Sequence, residues 1–311
     1  MKGKIEAIKL RYLLFVFAGG LLVVLPLRVY QMLTIVESAT GFYSEKNATV
    51  YIMYILLAAL SAVFILGAYL SREVPAPAIT NGKNIILGVV SCLFAAALMY
   101  DAVNVASDTV KAILDMSTFS IRTLFSSRHG EFTLILQVIF AFFSAIYFVF
   151  CGTAEITGKM KTIQNYKVLA LAPLGWSMCR IVHRFMRAIS YLNVSELLFE
   201  ILMLVFFMLF FINLARVSSK VSEAGNMWGI FGYGLSAASF AALVSVPRLI
   251  LIVLGKSEEL VSQSPFEPAD LAAAIFAVVF VLAAMGIGYQ SVASEAAVDN
   301  EADALPEPDV E

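Results

Sequence analysis

Nine ionisable side chains stand inside stretches that are otherwise apolar enough to cross a bilayer: Arg28, Asp101, Arg180, His183, Arg184, Arg187, Glu196, Glu200 and Arg248. An ionised group is costly in hydrocarbon, so it faces a bundle interior or a water-filled cavity and finds a partner there. The chemistry open to such a set is ion pairing, binding of a charged or dipolar solute, or proton transfer. Trp176, Arg180, His183 and Arg187 follow one another at spacings of four, three and four, which places them on one face of a helix, with Arg184 beside them. The carboxylates within reach of that face are Asp101, Glu196 and Glu200, and the expected pair is Arg180 or Arg184 with Glu200. Asn193-Val194-Ser195-Glu196 also fits a capping box, which would give Glu196 the lesser role of closing a helix start.

Pro26, Pro173 and Pro247 fall within the same stretches, Pro26 two residues before Arg28 and Pro247 directly before Arg248. Proline removes a helix hydrogen bond and kinks the helix. These three are the candidate hinges. The ligand-binding or intramembrane ion-pair candidates are Arg28, Asp101, Arg180, His183, Arg184, Glu200 and Arg248.

The elements that must hold these residues are helices in a membrane. Of the 311 residues, 60% are hydrophobic and 14% charged, too few charges to clothe a water-soluble fold of this size. A crossing helix needs about 20 mostly apolar residues. The hydropathy pattern predicts an all-α, polytopic transmembrane bundle of about eight spans, near 12–36, 50–70, 85–106, 132–151, 168–190, 197–215, 228–254 and 271–289. An amphipathic stretch at about 109–125, with Lys111, Asp115, Thr118 and Arg122 opposite its apolar face, predicts a helix lying in the membrane interface. The membrane domain is therefore 1–290. Residues 291–311 form a tail with seven acids and no Lys or Arg, expected to be disordered and cytoplasmic, and suited either to solvation or to docking a cytosolic partner.

Orientation follows from the bias of Lys and Arg toward cytoplasmic flanks. With the N-terminus inside, eleven basic residues fall on inner flanks and five on outer ones, which favours both ends inside. At 1.5 Å per residue, Arg28 and Asp101 then stand about 24 Å above the inner edge and Arg180 about 20 Å. All the intramembrane charges converge on the outer half. Five arginines against three acids predict a net-positive, outward-facing cavity that favours an anionic or zwitterionic ligand.

Gly225, Gly229, Gly232, Ser236 and Ser239 share one face of the seventh span, a surface for close helix packing within the chain or between copies. Cys92, Cys151 and Cys179 sit in apolar runs and act as small hydrophobes. The chain has no HExxH, GxSxG or Walker A pattern and only two histidines, so neither a metal centre nor a cofactor is expected, and no basic patch points to nucleic acid. Three readings follow for this integral membrane protein, expected in the cell membrane. The first is a small-solute transporter. The second is a non-catalytic module such as a sensor, an assembly factor or the membrane subunit of a complex. The third, weaker, is an enzyme on a lipid phosphate, with Arg180, Arg184 and Arg187 as anion holders and Glu200 or Asp101 as base.

Overall fold

The computed structural model describes residues 2–38, 40–43, 47–71, 82–114, 131–158, 167–186, 194–219, 227–260, 266–287 and 290–291. The fold is all-α. Its described helices are α1 (Lys2–Thr34), α2 (Ala48–Leu70), α3 (Ile85–Leu114), α4 (Glu131–Thr157), α5 (Ala172–Met186), α6 (Val194–Ser218), α7 (Met227–Val253) and α8 (Pro268–Ala284). Six of them, α1 to α4, α6 and α7, are long and apolar enough to cross a membrane. α5 and α8 are shorter, with 15 and 17 residues. At 1.5 Å per residue they reach about 22 and 25 Å, short of a hydrocarbon core about 30 Å thick.

α8 nevertheless runs from one end of the bundle to the other. Asp270 in its first turn is bonded to Arg180 in the middle of α5. Just past its far end, the Ile287 carbonyl accepts a bond from Asn84, the residue that opens α3. The Asn84 backbone N–H in turn donates to Glu155 at the end of α4. Gly82–Lys83 and Gln290–Ser291 pair there as two antiparallel strands, β1 and β2. The starts of β1 and α3 and the ends of α4 and α8 therefore meet at one end of the bundle. The late turns of α1 and α7 and the first turns of α6 and α8 meet at the other, through Arg28, Arg248, Glu196 and Asp270. The described helices alternate in direction between these two ends.

α3, α4, α5, α6, α7 and α8 pack in that order as a closed ring, since α8 returns to α3, and α1 and α2 lean on the outside of α7. The ring is filled with aromatic side chains. Phe94 lies 4.6 Å from Phe148 and 5.5 Å from Phe276, Phe148 lies 4.8 Å from Phe276, and Phe211 closes the set at 6.3 Å from Phe94. All four rings are fully buried. Offset and edge-on rings at these separations pack against one another and fill the centre of the ring.

α7 reaches its central position because its packing face is small. Gly229 abuts Asn213 of α6, and Gly232 abuts Ile65 and Ala68 of α2. Ser236 and Ser239 return their hydroxyls to the carbonyls four residues back, at 2.8 and 2.9 Å, and so present little polar surface. The small-residue face predicted from sequence is spent on contacts inside the chain; Gly225 lies outside the described residues.

The third span ends later than its hydropathy suggests. Residues 109–114, assigned from sequence to an interfacial helix, continue α3, with the Thr109 hydroxyl bonded to the Val105 carbonyl at 2.6 Å; residues 115–125 lie outside the described set. Two helix starts carry amide caps: Asn47 Oδ1 accepts from Thr49 N at 3.1 Å, and Asn84 Oδ1 from Leu87 N at 3.0 Å. Each such cap contributes about 1 kcal/mol.

The closest approach in the fold is that of α3 to α4. A Cβ built on Gly152 would stand 2.7 Å from the Gly88 carbonyl and 2.5 Å from the Cys92 sulfur; one built on Gly88 would stand 2.8 Å from the Gly152 carbonyl. Backbone cannot yield there without separating the helices. Gly152→Val is expected to lower stability by about 3 kcal/mol, the upper end for overpacking, read as a reduced unfolding midpoint in lipid bicelles. Gly19, whose Cβ would meet nothing within 4 Å, is the control: Gly19→Ala is expected to leave the midpoint unchanged.

Candidate functional site

The charged residues are positioned by helix direction. At the second of the two bundle ends α1, α5 and α7 present their C-terminal halves, which carry Arg28, Arg180, Arg184 and Arg248. α6 and α8 present their N-terminal turns, which carry Glu196, Glu200 and Asp270, with Glu267 at the N-cap position of α8. Bases at C-termini and acids at N-termini are the signs that helix dipoles favour. Asp101, in the outward C-terminal half of α3, is the exception.

The side chains join into one continuous network. Glu196 accepts from Arg28 through one oxygen and from Arg248 through the other, the latter at 2.8 Å. Arg248 also donates to Glu200 at 2.9 Å, and the second oxygen of Glu200 meets Arg184 at 2.9 Å. Arg184 reaches on to Glu267 at 3.4 Å. Arg180 donates to Glu267 as well, and to both oxygens of Asp270 at 2.5 and 3.1 Å. Asp101 belongs to the same assembly: its Oδ2 accepts from the Trp176 indole at 3.1 Å and from Gln137 at 3.5 Å, and the Arg180 guanidinium stacks over Trp176 at 4.8 Å.

The network has two halves with different exposure. Around Arg28, Glu196, Glu200 and Arg248 it is closed, each residue 3% exposed or less. Arg28 is further enclosed by Gln31 at 3.2 Å, Tyr43 at 3.3 Å and the face of Phe199 at 5.0 Å. Tyr43 reaches it because the chain after α1 doubles back, Val36 pairing with Tyr43 across a turn that puts Gly41 at φ +66°, a conformation that favours glycine.

The other half borders a cavity of about 210 Å³. α3 supplies Asp101, Val105 and Asp108 at spacings of four and three. α4 supplies Leu134 and Gln137; α5 supplies Arg180, His183 and Arg184; Glu267 completes the wall. Asp108 is 80% exposed and marks the mouth. Trp176, which donates to Asp101 of the cavity wall, is fully buried and lies 6.4 Å from Phe94, where the aromatic filling of the ring begins. The His183 ring nitrogen Nδ1 lies 3.3 Å from the Thr133 hydroxyl.

Of the candidates named from sequence, Arg28, Asp101, Arg180, Arg184, Glu200 and Arg248 lie in this assembly, and His183 lines its cavity. Glu200 pairs with Arg184, one of the two arginines expected for it, and also with Arg248. Glu196 is the bridge between two arginines rather than a simple cap; Asn193 and Arg187 lie outside the described residues. Among the described residues the network holds four guanidinium groups and five carboxylates, so the net-positive chamber expected from sequence is not formed. The excess of positive charge came from overlooking Glu267 and Asp270. Pro26 and Pro247 lie inside α1 and α7. Pro173 is in the first turn of α5, where its missing N–H costs nothing, so it starts a helix and does not interrupt one. No group of three His, Cys, Asp or Glu positioned for a metal occurs among the described residues.

Compared with known proteins, the chain matches no family model, no curated protein and no solved structure.

Proposed function

We propose that this multi-pass membrane protein is a non-catalytic binding module, with a pocket that opens to the non-cytoplasmic side of the cell membrane and ends blind within the bundle. The observation that carries this reading is the aromatic filling of the helix ring directly beneath a polar, outward-open cavity. A sensor or the membrane subunit of a complex needs a site that is occupied and read, without passage. The lipid-phosphate enzyme is disfavoured, because each described arginine of the network is already held by a carboxylate. Transport is the second reading, supported by Pro26 and Pro247 beside the paired Arg28 and Arg248, where a hinge would break the closed half of the network.

Thiol accessibility separates the two. Val105→Cys places a thiol in the pocket wall; Ser91→Cys places one on the same helix below Phe94, at a residue 1% exposed. In oriented vesicles a membrane-impermeant thiol reagent is expected to modify Val105→Cys from the outer side. Ser91→Cys should stay unmodified from both sides. Modification of Ser91→Cys from the inner side would show alternating access and replace the module with a transporter. An unreactive Val105→Cys would remove the pocket.

A further inference from the structure

We infer that the pocket takes a small zwitterion, a primary ammonium and a carboxylate on one short frame, with the ammonium on Asp101 and Gln137 and the carboxylate on Arg184. The inference rests on the pocket reading above and names its ligand class.

The argument is the hydrogen-bonding capacity that the network leaves unused. Both bonds to Asp101 go to Oδ2, so among the described residues Oδ1 accepts nothing. Gln137 turns its Nε2 toward that carboxylate, which can only accept. This fixes the amide orientation and leaves the Gln137 carbonyl oxygen with no donor among the described residues. Two acceptors thus stand together on the α3 and α4 wall. Arg184 sits on the α5 wall and uses only Nη2, shared between Glu200 and Glu267. Its Nε and Nη1 have no acceptor among the described residues. All three side chains line the same cavity. The remaining groups are committed: Arg180 spends both terminal nitrogens on Glu267 and Asp270, and Asp108 pairs with Lys111 at 3.3 Å out in solvent.

Charge balance selects among ligands. A lone anion bound to Arg184 would face the carboxylates of Asp101, Asp108 and Glu267. A lone cation bound to Asp101 would stand beside Arg180 and Arg184. In a site walled by protein, an added unpaired charge is penalised. A zwitterion adds none and gives each spare group a partner of opposite sign. The absence of a three-ligand acidic or histidine group among the described residues argues against a metal ion as the cation. A volume of 210 Å³ holds on the order of seven waters, which suits a small amino acid and excludes a lipid headgroup with its chains.

The test is protection of Val105→Cys from the outer thiol reagent in full-length protein. The probes are glycine, L-alanine, β-alanine and γ-aminobutyrate, each compared with its amide, which lacks the carboxylate, and its N-acetyl derivative, which lacks the ammonium. At least one zwitterion is expected to slow modification tenfold or more at a concentration where neither of its derivatives slows it twofold. Equal protection by a derivative, or no protection by any of the four, would overturn the zwitterion assignment while the labelled thiol still attests to the pocket. Failure of the thiol to react at all would overturn both. Asp101→Asn, in protein that still elutes as a single species, is expected to abolish the protection; retained protection counts against the ammonium position.

Discussion

Glu196→Gln is expected to be among the most destabilising conservative substitutions in the chain. The side chain keeps its size but loses its charge, and one of the two oxygens that accept from Arg28 and Arg248 becomes an amide NH2 that can only donate. Arg28 and Arg248 share that carboxylate and are 1% and 2% exposed. Among the described residues Arg28 has no other carboxylate partner: it otherwise meets the neutral Gln31, Tyr43 and Phe199. The substitution therefore leaves a buried guanidinium uncompensated, at a cost of about 3–5 kcal/mol. The measurement is the unfolding midpoint in bicelles, backed by the yield of monodisperse protein. If Glu196 only capped α6, glutamine would serve nearly as well, with a loss below about 1 kcal/mol. Arg248 keeps Glu200, so the effect is expected to fall mainly on the packing of α1 against the bundle.

Arg180→Met is expected to cost as much or more. Arg180 is the cation on which Glu267 and Asp270 converge, with Asp101 close by across Trp176. Methionine fills much of the same volume and abandons Asp270, 2% exposed, without any described cation bonded to it. Loss of one member of a buried pair costs about 3–5 kcal/mol, chiefly as the penalty of the charge left behind. The same logic gives the rescue. Arg180→Met combined with Asp270→Asn and Glu267→Gln removes the abandoned charges and is expected to recover at least half of the lost stability. A triple variant as weak as the single one would mean that Arg180 acts through its stacking on Trp176 and not through its charge.

How much of this was legible beforehand follows from what each residue advertises. Arg28, Arg180 and Arg248 stand out because each is preceded by twelve or more residues without a charge, and a charge in such a setting must be accounted for. Their convergence on one end follows from counting 1.5 Å per residue along spans of known direction. Glu267 and Asp270 carry no such signal. Between Pro265 and the first turn of α8 they read as ordinary loop and helix-start acids, where carboxylates are common for dipole reasons alone. With them the acids rise from three to five, which removes the excess of positive charge counted from sequence. The choice between Arg180 and Arg184 as the partner of Glu200 was equally hidden. The two arginines lie one turn apart on one face, and which acid each meets depends on the relative heights of α6 and α8. At the far end Asn84 ties α3 to Ile287 and Glu155, which holds α8 in register with α3 and α4. The interfacial helix assigned at 109–125 illustrates the reverse case: Asp108 and Lys111 look like the start of a new polar-faced element, yet their exposure needs only that α3 project past its neighbours.

The central claim is that the intramembrane charges neutralise one another as pairs across helices, and a double-mutant cycle on the pair joining α1 to α6 addresses it most directly. Arg28→Gln, Glu196→Gln and the double variant are to be unfolded in the same bicelles. Paired charges predict that the double variant is more stable than the sum of the single losses by about 2–3 kcal/mol. Additive losses, with a coupling below about 0.5 kcal/mol, would mean that the two side chains are satisfied separately, and the network described here would not exist.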